Sequence, residues 1–266
     1  MNFQDKLDKI QEKNNSLVCV GLDSNIDKLS DKFKQLKYPQ FEFNKWVIEQ
    51  TNSLICAYKP NLAFYEAKGD QGMKELKMTL EYLQEKHPDI VTIADGKRAD
   101  IGSSNEGYVK AIFDWLGFDG VTLQPYLGRE ALEPFLNRKD KGCIVLCRTS
   151  NPGSGELQDL ETQGKPLWQV VAEKVSKDWD ENNNLMLVAG ATYPEELGKI
   201  REIVGEMTLL VPGVGAQGGD IEKTVKAGIN SKGAGMIINS SRGIIFNKNP
   251  RLAAEQLRDT INRYRK

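Results

Sequence analysis

Histidine occurs once in these 266 residues, at His87, and the four cysteines, Cys19, Cys56, Cys143 and Cys147, form no C-x-x-C pair. The cysteines lie in or beside apolar runs, so buried free thiols are favoured over disulfides or a zinc site. Metal chemistry would have to use carboxylates. His87 precedes Pro88 in "QEKHPDI", where a helix C-terminus is a better reading than an active site. Acid and base catalysis therefore fall to Lys, Asp or Glu. An excess of charge of either sign is also missing: 36 Lys and Arg stand against 37 Asp and Glu, a formal net charge of -1. No non-specific attraction to nucleic acid or to an anionic membrane surface is expected. No apolar run approaches the roughly 18 residues of a membrane span. The N-terminal "MNFQDKLDKIQEKNNS" is polar and amphipathic, without the apolar centre of a signal peptide. These absences point to a cytoplasmic protein that binds neither nucleic acid nor membrane.

What is present is a series of short apolar runs with helical patterns between them. The runs are "LVCVGLD" (17–23), "CAYKPNLAF" (56–64), "IVTIADGK" (90–97), "GVTLQPY" (120–126), "CIVLCRTS" (143–150), "LMLVAGA" (185–191), "TLLVPGVG" (208–215) and "AGMIINSS" (234–241). Their continuous apolarity fits parallel strands covered on both faces. Segments such as "GMKELKMTLEYLQEKH" and "PEELGKIREIVG" have helical spacing. Eight strand-then-helix units in about 250 residues predict a closed (β/α)₈ TIM barrel, with a leading helix near residues 3–13 capping one end. An open doubly wound sheet is the alternative. No composition break marks a boundary, so residues 1–266 read as a single barrel domain. The longest irregular stretch, "NPGSGELQDLETQGK" (151–165), follows the fifth strand and is expected to be a mobile loop at the active site.

In such a barrel the chemistry sits where strands end. Asp23 ends the first strand, Lys59 lies in the second unit, Asp95 and Lys97 end the third, Ser150 ends the fifth and Arg242 follows the eighth. Side chains two apart on a strand share a side, so Asp95 and Lys97 are expected to face the mouth together, joined by Lys59, with Arg98 facing away. Asp100 lies past the strand end and is placed to serve a neighbouring subunit's cavity instead. The blander reading of this D-x-K-x-x-D is a solvated, charge-rich loop. In "TLLVPGVGAQGGDIEKTVKAG", Gly213, Gly215 and Gly218 spell G-x-G-x-x-G. The dinucleotide reading fails, because the motif follows the seventh strand and the position some 20 residues on is Ile238 or Asn239 rather than an acid. Phosphate binding survives: backbone N–H groups, a helix beginning near Gly219 and the Arg242 fork suit an anion. The residues alone reach a phosphate-binding barrel enzyme with Lys and Asp chemistry.

Taken together, "VGLD", "YKPN", "DGKRADIG", "RTSNPGS", "PGVGAQGGD" and "SSRGI" span nearly the whole chain, and they resemble the orotidine 5′-phosphate decarboxylase family, in its longer bacterial (type 2) branch. The resemblance implies decarboxylation of orotidine 5′-phosphate to UMP, with no cofactor or metal. It implies a charged tetrad of Lys59, Asp95, Lys97 and Asp100, Asp100 being donated across a homodimer interface. Asp23 and the partner's Ser104 would contact ribose, Ser150 the pyrimidine edge, Gln217 base and phosphate, and Arg242 phosphate. D-x-K-x-x-D is shared with sugar-phosphate decarboxylases and hexulose-phosphate synthases, which usually carry an acid at the Lys59 position, consistent with their Mg²⁺ dependence. Such a Mg²⁺-dependent enzyme and a non-catalytic nucleotide-binding barrel are the alternatives. Many relatives have Gly directly before the Arg, where this chain has Ser241.

Overall fold

A computed structural model describes residues 1–214 and 219–265. Eight parallel strands close into a barrel: β1 (Val18–Leu22), β2 (Ala57–Pro60), β3 (Val91–Arg98), β4 (Gly120–Leu123), β5 (Gly142–Arg148), β6 (Leu185–Ala189), β7 (Leu209–Pro212) and β8 (Met236–Ser240). Each pairs with its sequence neighbours, and β8 returns to β1 through Val18 opposite Ile238. All eight expected strands are present, and the closed order excludes the open sheet. Every residue of β1, β2, β6 and β8 is buried, because barrel filling covers one face and helices the other; their runs therefore do not alternate, and the polar residues within them, Lys59, Asn239 and Ser240, are buried as well.

Helix α1 (Phe3–Lys13) precedes β1, and α2 (Pro39–Thr51), α3 (Gly69–Lys86), α4 (Gly102–Val109), α5 (Gly128–Leu136), α6 (Leu167–Lys174), α7 (Pro194–Val204), α8 (Ile221–Gly228) and α9 (Pro250–Tyr264) follow the strands in turn. Among the described residues no helix is long and apolar enough to cross a membrane. Helix α1 starts where Asn2 caps it by accepting from Asp5 N–H at 2.8 Å, and it buries Phe3, Leu7, Ile10 and Gln11 on one face. Phe3 lies over the N-terminal end of the barrel. A Cβ on Gly120 or Gly142 would come within 2.7 Å of its ring, so these glycines leave the space the plug fills. Gln11 completes the closure by donating to the Met236 carbonyl at 2.8 Å.

All four cysteines are free and buried; burial pushes the Cys56 and Cys147 thiols up to about 12. His87 caps the C-terminus of α3, its Nε2 3.2 Å from Glu49. The 151–165 stretch is more ordered than its composition suggests: it contains a 3₁₀ turn at Pro152–Ser154, a helical turn at Gly155–Gln158 and a small hairpin pairing Glu161–Thr162 with Lys165–Pro166.

Candidate active site

At the C-terminal mouth of the barrel lies a cavity of about 460 Å³ bounded by Asp23, Lys59, Asp95, Lys97, Ser150 and Asn239, among others. A larger one of about 540 Å³ lies at the opposite end, between α1 and residues such as Glu206 and Lys232. None of the charged array reaches it.

Asp95 is the hub of the array. Lys59 Nζ, from the adjacent strand β2, is 2.5 Å from its Oδ2, and Lys97 Nζ is 2.6 Å from its Oδ1. Thr122 of β4 donates its hydroxyl to Oδ1 at 3.0 Å. Burial alone would push the Asp95 carboxyl upward, but the Lys59 and Lys97 ammonium groups outweigh it and hold Asp95 well below the usual carboxylate range. Burial also pulls Lys59 down. Asp95, with a smaller contribution from Asp23, more than reverses this and holds Lys59 well above the ordinary lysine value. Both charges therefore persist in a buried place. The Cys19 thiol beneath them is raised well above its usual value, chiefly by burial, and its Sγ donates to Asn239 Oδ1 at 3.5 Å. No thiolate competes for Lys59.

Lys97 reaches the mouth by a route that strict alternation along β3 does not describe. Between Ala94 and Arg98 the pairing with β4 slips: Ala94 lies opposite Val121, yet Arg98 lies opposite Leu123. Lys97 takes up the slack in the left-handed region at φ 47°, a conformation that costs a non-glycine residue about 1–2 kcal/mol. The expectation that Asp95 and Lys97 share the mouth holds, but the bulge brings them together rather than period-two alternation. Arg98 faces away, paired with Glu66 and stacked on Tyr108. Lys97 remains half exposed, while the Lys59 side chain is 5% exposed.

The other expected residues divide in two. Asp23, directly after β1, and Ser150 line the cavity. Asp23 Oδ1 is buried with no hydrogen-bond partner among the described residues. Ser150 lies two residues past the end of β5 at Arg148. Asp100 and Ser104 do not line the cavity. Asp100 instead accepts from the Ile101 N–H at 2.7 Å, and Ser104 is exposed on α4. Among the described residues Asp100 enters no ion pair, so within one chain the array has three charged members. Gly213 follows β7 at φ 99°; Gly215, Gln217 and Gly218 lie outside the described residues. Arg242 opens a four-residue helical turn just beyond β8, exposed to solvent. Since Asn239 of β8 lies opposite Pro212 of β7, Arg242 and Gly213 leave adjacent strands. Helix α8 begins at Ile221 rather than Gly219, and Asp220 caps it, accepting from Lys223 N–H at 3.1 Å. That carboxylate takes the place expected for an anion at this helix terminus.

Thr122, Asn61 and Asn239 also line the cavity, and none of them figures in the sequence-based site. Their signal is faint: a polar residue inside or just beyond an otherwise apolar strand.

The model of the family described as "Orotidine 5′-phosphate decarboxylase / HUMPS family" matches residues 16–257. The chain belongs to this family. Its similarity to the orotidine 5′-phosphate decarboxylase of Cupriavidus metallidurans is 45% identity over 272 aligned positions, covering 100% of this chain and 99% of the relative. The solved Leishmania donovani OMP decarboxylase superposes with a TM-score of 0.89 at 36% identity, covering 100% and 99% of the two chains. The Leishmania donovani UMP synthase structure gives a TM-score of 0.91 at 37% identity over the whole of this chain, which spans 57% of that longer protein.

Proposed function

We propose that this chain decarboxylates orotidine 5′-phosphate to UMP and CO₂, without cofactor or metal, and that it belongs to the longer bacterial (type 2) branch of the family. The observation that carries the reading is the continuous Lys59–Asp95–Lys97 ion-pair chain at the mouth of the barrel, in a chain of this family.

Loss of CO₂ from the pyrimidine carboxylate leaves a carbanion on a ring carbon with no adjacent electron sink, so the protein's own charges must stabilise it. Lys97, half exposed and hydrogen-bonded to Asp95, is the group free to swing toward substrate; its ammonium supports the developing carbanion and then protonates it. Asp95 stands near the substrate carboxylate and repels it. Two like charges about 4 Å apart cost about 4 kcal/mol at an effective dielectric of about 20. Enzymes commonly lower barriers by about 8–23 kcal/mol, so carbanion stabilisation and binding energy from the phosphate supply the larger part.

Asp100 completes the tetrad from a partner subunit in a homodimer, with the partner's Ser104 on the ribose. Its outward position in a single chain suits that role, as do Ile101 and Tyr126, 61% and 86% exposed in the loops after β3 and β4, which offer apolar surface for a partner. Asp23 takes a ribose hydroxyl on its unpartnered Oδ1. Ser150 reads the pyrimidine edge, Gln217 bridges base and phosphate, and Arg242 holds the phosphate with the backbone at Gly213, Gly215 and Gly218. Residues 1–266 act as one cytoplasmic barrel domain on this small-molecule substrate, with no role for nucleic acid or membrane.

The test is formation of UMP from orotidine 5′-phosphate, followed by absorbance with and without EDTA. Equal rates are expected. Loss of activity in EDTA with recovery on adding Mg²⁺ would move the chain to metal-dependent sugar-phosphate chemistry, and tight nucleotide binding without turnover would make it a binding module.

A further inference from the structure

The connection after β5 holds a buried guanidinium to which the proposed reaction gives no part. Arg148, the last residue of β5, is 3% exposed. Its Nη1 donates to Ser154 Oγ at 2.9 Å and, at 3.4 Å, to Gln158 Oε1; its Nη2 is 3.1 Å from Asp159 Oδ2. Its Cζ stands 4.1 Å from the centre of the Tyr193 ring, which precedes α7. One side chain thus ties three residues of its own loop to the next βα connection. Around it Gln158 folds back on the loop's first residue. The Gln158 Oε1 accepts from Thr149 N–H, and its Nε2 donates to Thr149 Oγ1, both at 2.9 Å. The Thr149 hydroxyl in turn donates to Asn151 Oδ1 at 2.7 Å. From the opposite side, a Cβ on Gly190 would lie 3.0 Å from the Ser150 backbone and Cβ. Ser150 is held between the end of β6 and this network, and Thr149, Ser150, Asn151 and Gln158 all line the cavity.

A buried guanidinium is a costly way to fill space. Its partner Asp159 has a side chain 48% exposed, its own Nε is buried without a hydrogen bond among the described residues, and an apolar residue of similar volume packs without these losses. What arginine adds is a planar fork that fixes several acceptors at once. We infer that Arg148 is a positioning residue, clasping residues 149–159 so that Ser150 and Asn151 present their polar groups to the cavity at a fixed place. The identity of the ligand they face rests on the decarboxylase reading; the clasp itself does not.

The test uses the full chain carrying Arg148→Met, Arg148→Lys or Asp159→Asn. Three readouts are taken: amide hydrogen exchange, thermal unfolding, and kcat and KM for orotidine 5′-phosphate. Removing a hydrogen bond to a charged group corresponds to about a tenfold effect or more. Exchange in residues 149–160 of Arg148→Met and Asp159→Asn is therefore expected to quicken about tenfold, with the barrel strands unchanged. KM should rise by a similar factor while kcat moves little, because Ser150 holds the base alike in ground and transition states. Arg148→Lys should recover part of both. Unchanged exchange in 149–160 overturns the inference, and so does a loosened or less stable protein with wild-type KM and kcat, the mark of a merely structural role. If Arg148→Met does not fold, Asp159→Asn, altered at a half-exposed side chain, decides by the same criteria. If the wild type makes no UMP, the decarboxylase reading fails separately and the exchange comparison alone decides the clasp, a loosened segment supporting it and an unchanged one rejecting it.

Discussion

Thr122 holds Lys97 from the neighbouring strand: its hydroxyl oxygen accepts the Lys97 backbone N–H at 3.0 Å. The same hydroxyl donates to Asp95, so one side chain fixes the bulge and the hub of the array together. Thr122→Val keeps the shape and loses both bonds. We expect kcat for orotidine 5′-phosphate to fall about tenfold, with Thr122→Ser close to wild type; an undiminished valine variant would show that the bulge needs no such support.

Lys97→Ala is expected to reduce turnover by about a thousandfold or more, while calorimetric titration with UMP gives an affinity within about tenfold of wild type. The half-exposed side chain makes a folding failure improbable as an explanation of lost activity. Near-normal turnover by this variant contradicts its role as proton donor.

Asp95→Asn leaves Lys59 charged, buried and poorly paired, a change that typically costs about 3–5 kcal/mol. The depressed Asp95 carboxyl contributes stability that is fully present above its unfolded value near about 4 and is lost as pH falls toward its folded one. The gap between wild type and variant in urea unfolding should therefore be wide and constant from pH 7 down to about pH 4 and shrink progressively as pH falls further. A gap independent of pH would mean that the ion pairs do not stabilise the fold.

Arg242→Ala is expected to raise KM about ten- to hundredfold, the loss of a charged fork on a phosphate, with little effect on unphosphorylated orotidine. Equal effects on both substrates would place the phosphate elsewhere.

Lys97→Ala and Asp100→Ala proteins, each inactive, should regain activity when mixed and allowed to exchange subunits. A two-fold dimer that shares residues across its interface places one intact site in each hybrid, so random assortment restores about a quarter of wild-type activity. No recovery despite exchange, detected by mass, would rule out a shared site.

The barrel was legible because strands buried on both faces leave unbroken apolar runs, as in β1 and β6, and because α1 shows a single apolar stripe from Phe3 to Ile10. Lys59 and Asp95 were legible as charges at the ends of such runs. Lys97 was placed correctly by an argument that misses its backbone: a left-handed residue and a slipped register leave no periodic trace when the residue is not glycine. Arg148 was passed over for a related reason. An arginine closing a strand looks like a solvated mouth residue, and only the fold reveals that Ser154, Gln158 and Asp159 return to cover it. The 151–165 segment reads as irregular because turns of three or four residues and two-residue strands are shorter than any repeat that sequence can display.

The positive φ of Lys97 sets durability against catalysis at a single residue. Glycine would adopt the same backbone without the Cβ conflict, so selection for robustness alone would erase the side chain on which turnover is proposed to depend. Lys97→Gly, rather than the customary alanine, is then the better choice for an inert, well-behaved form in which to trap substrate for crystallography.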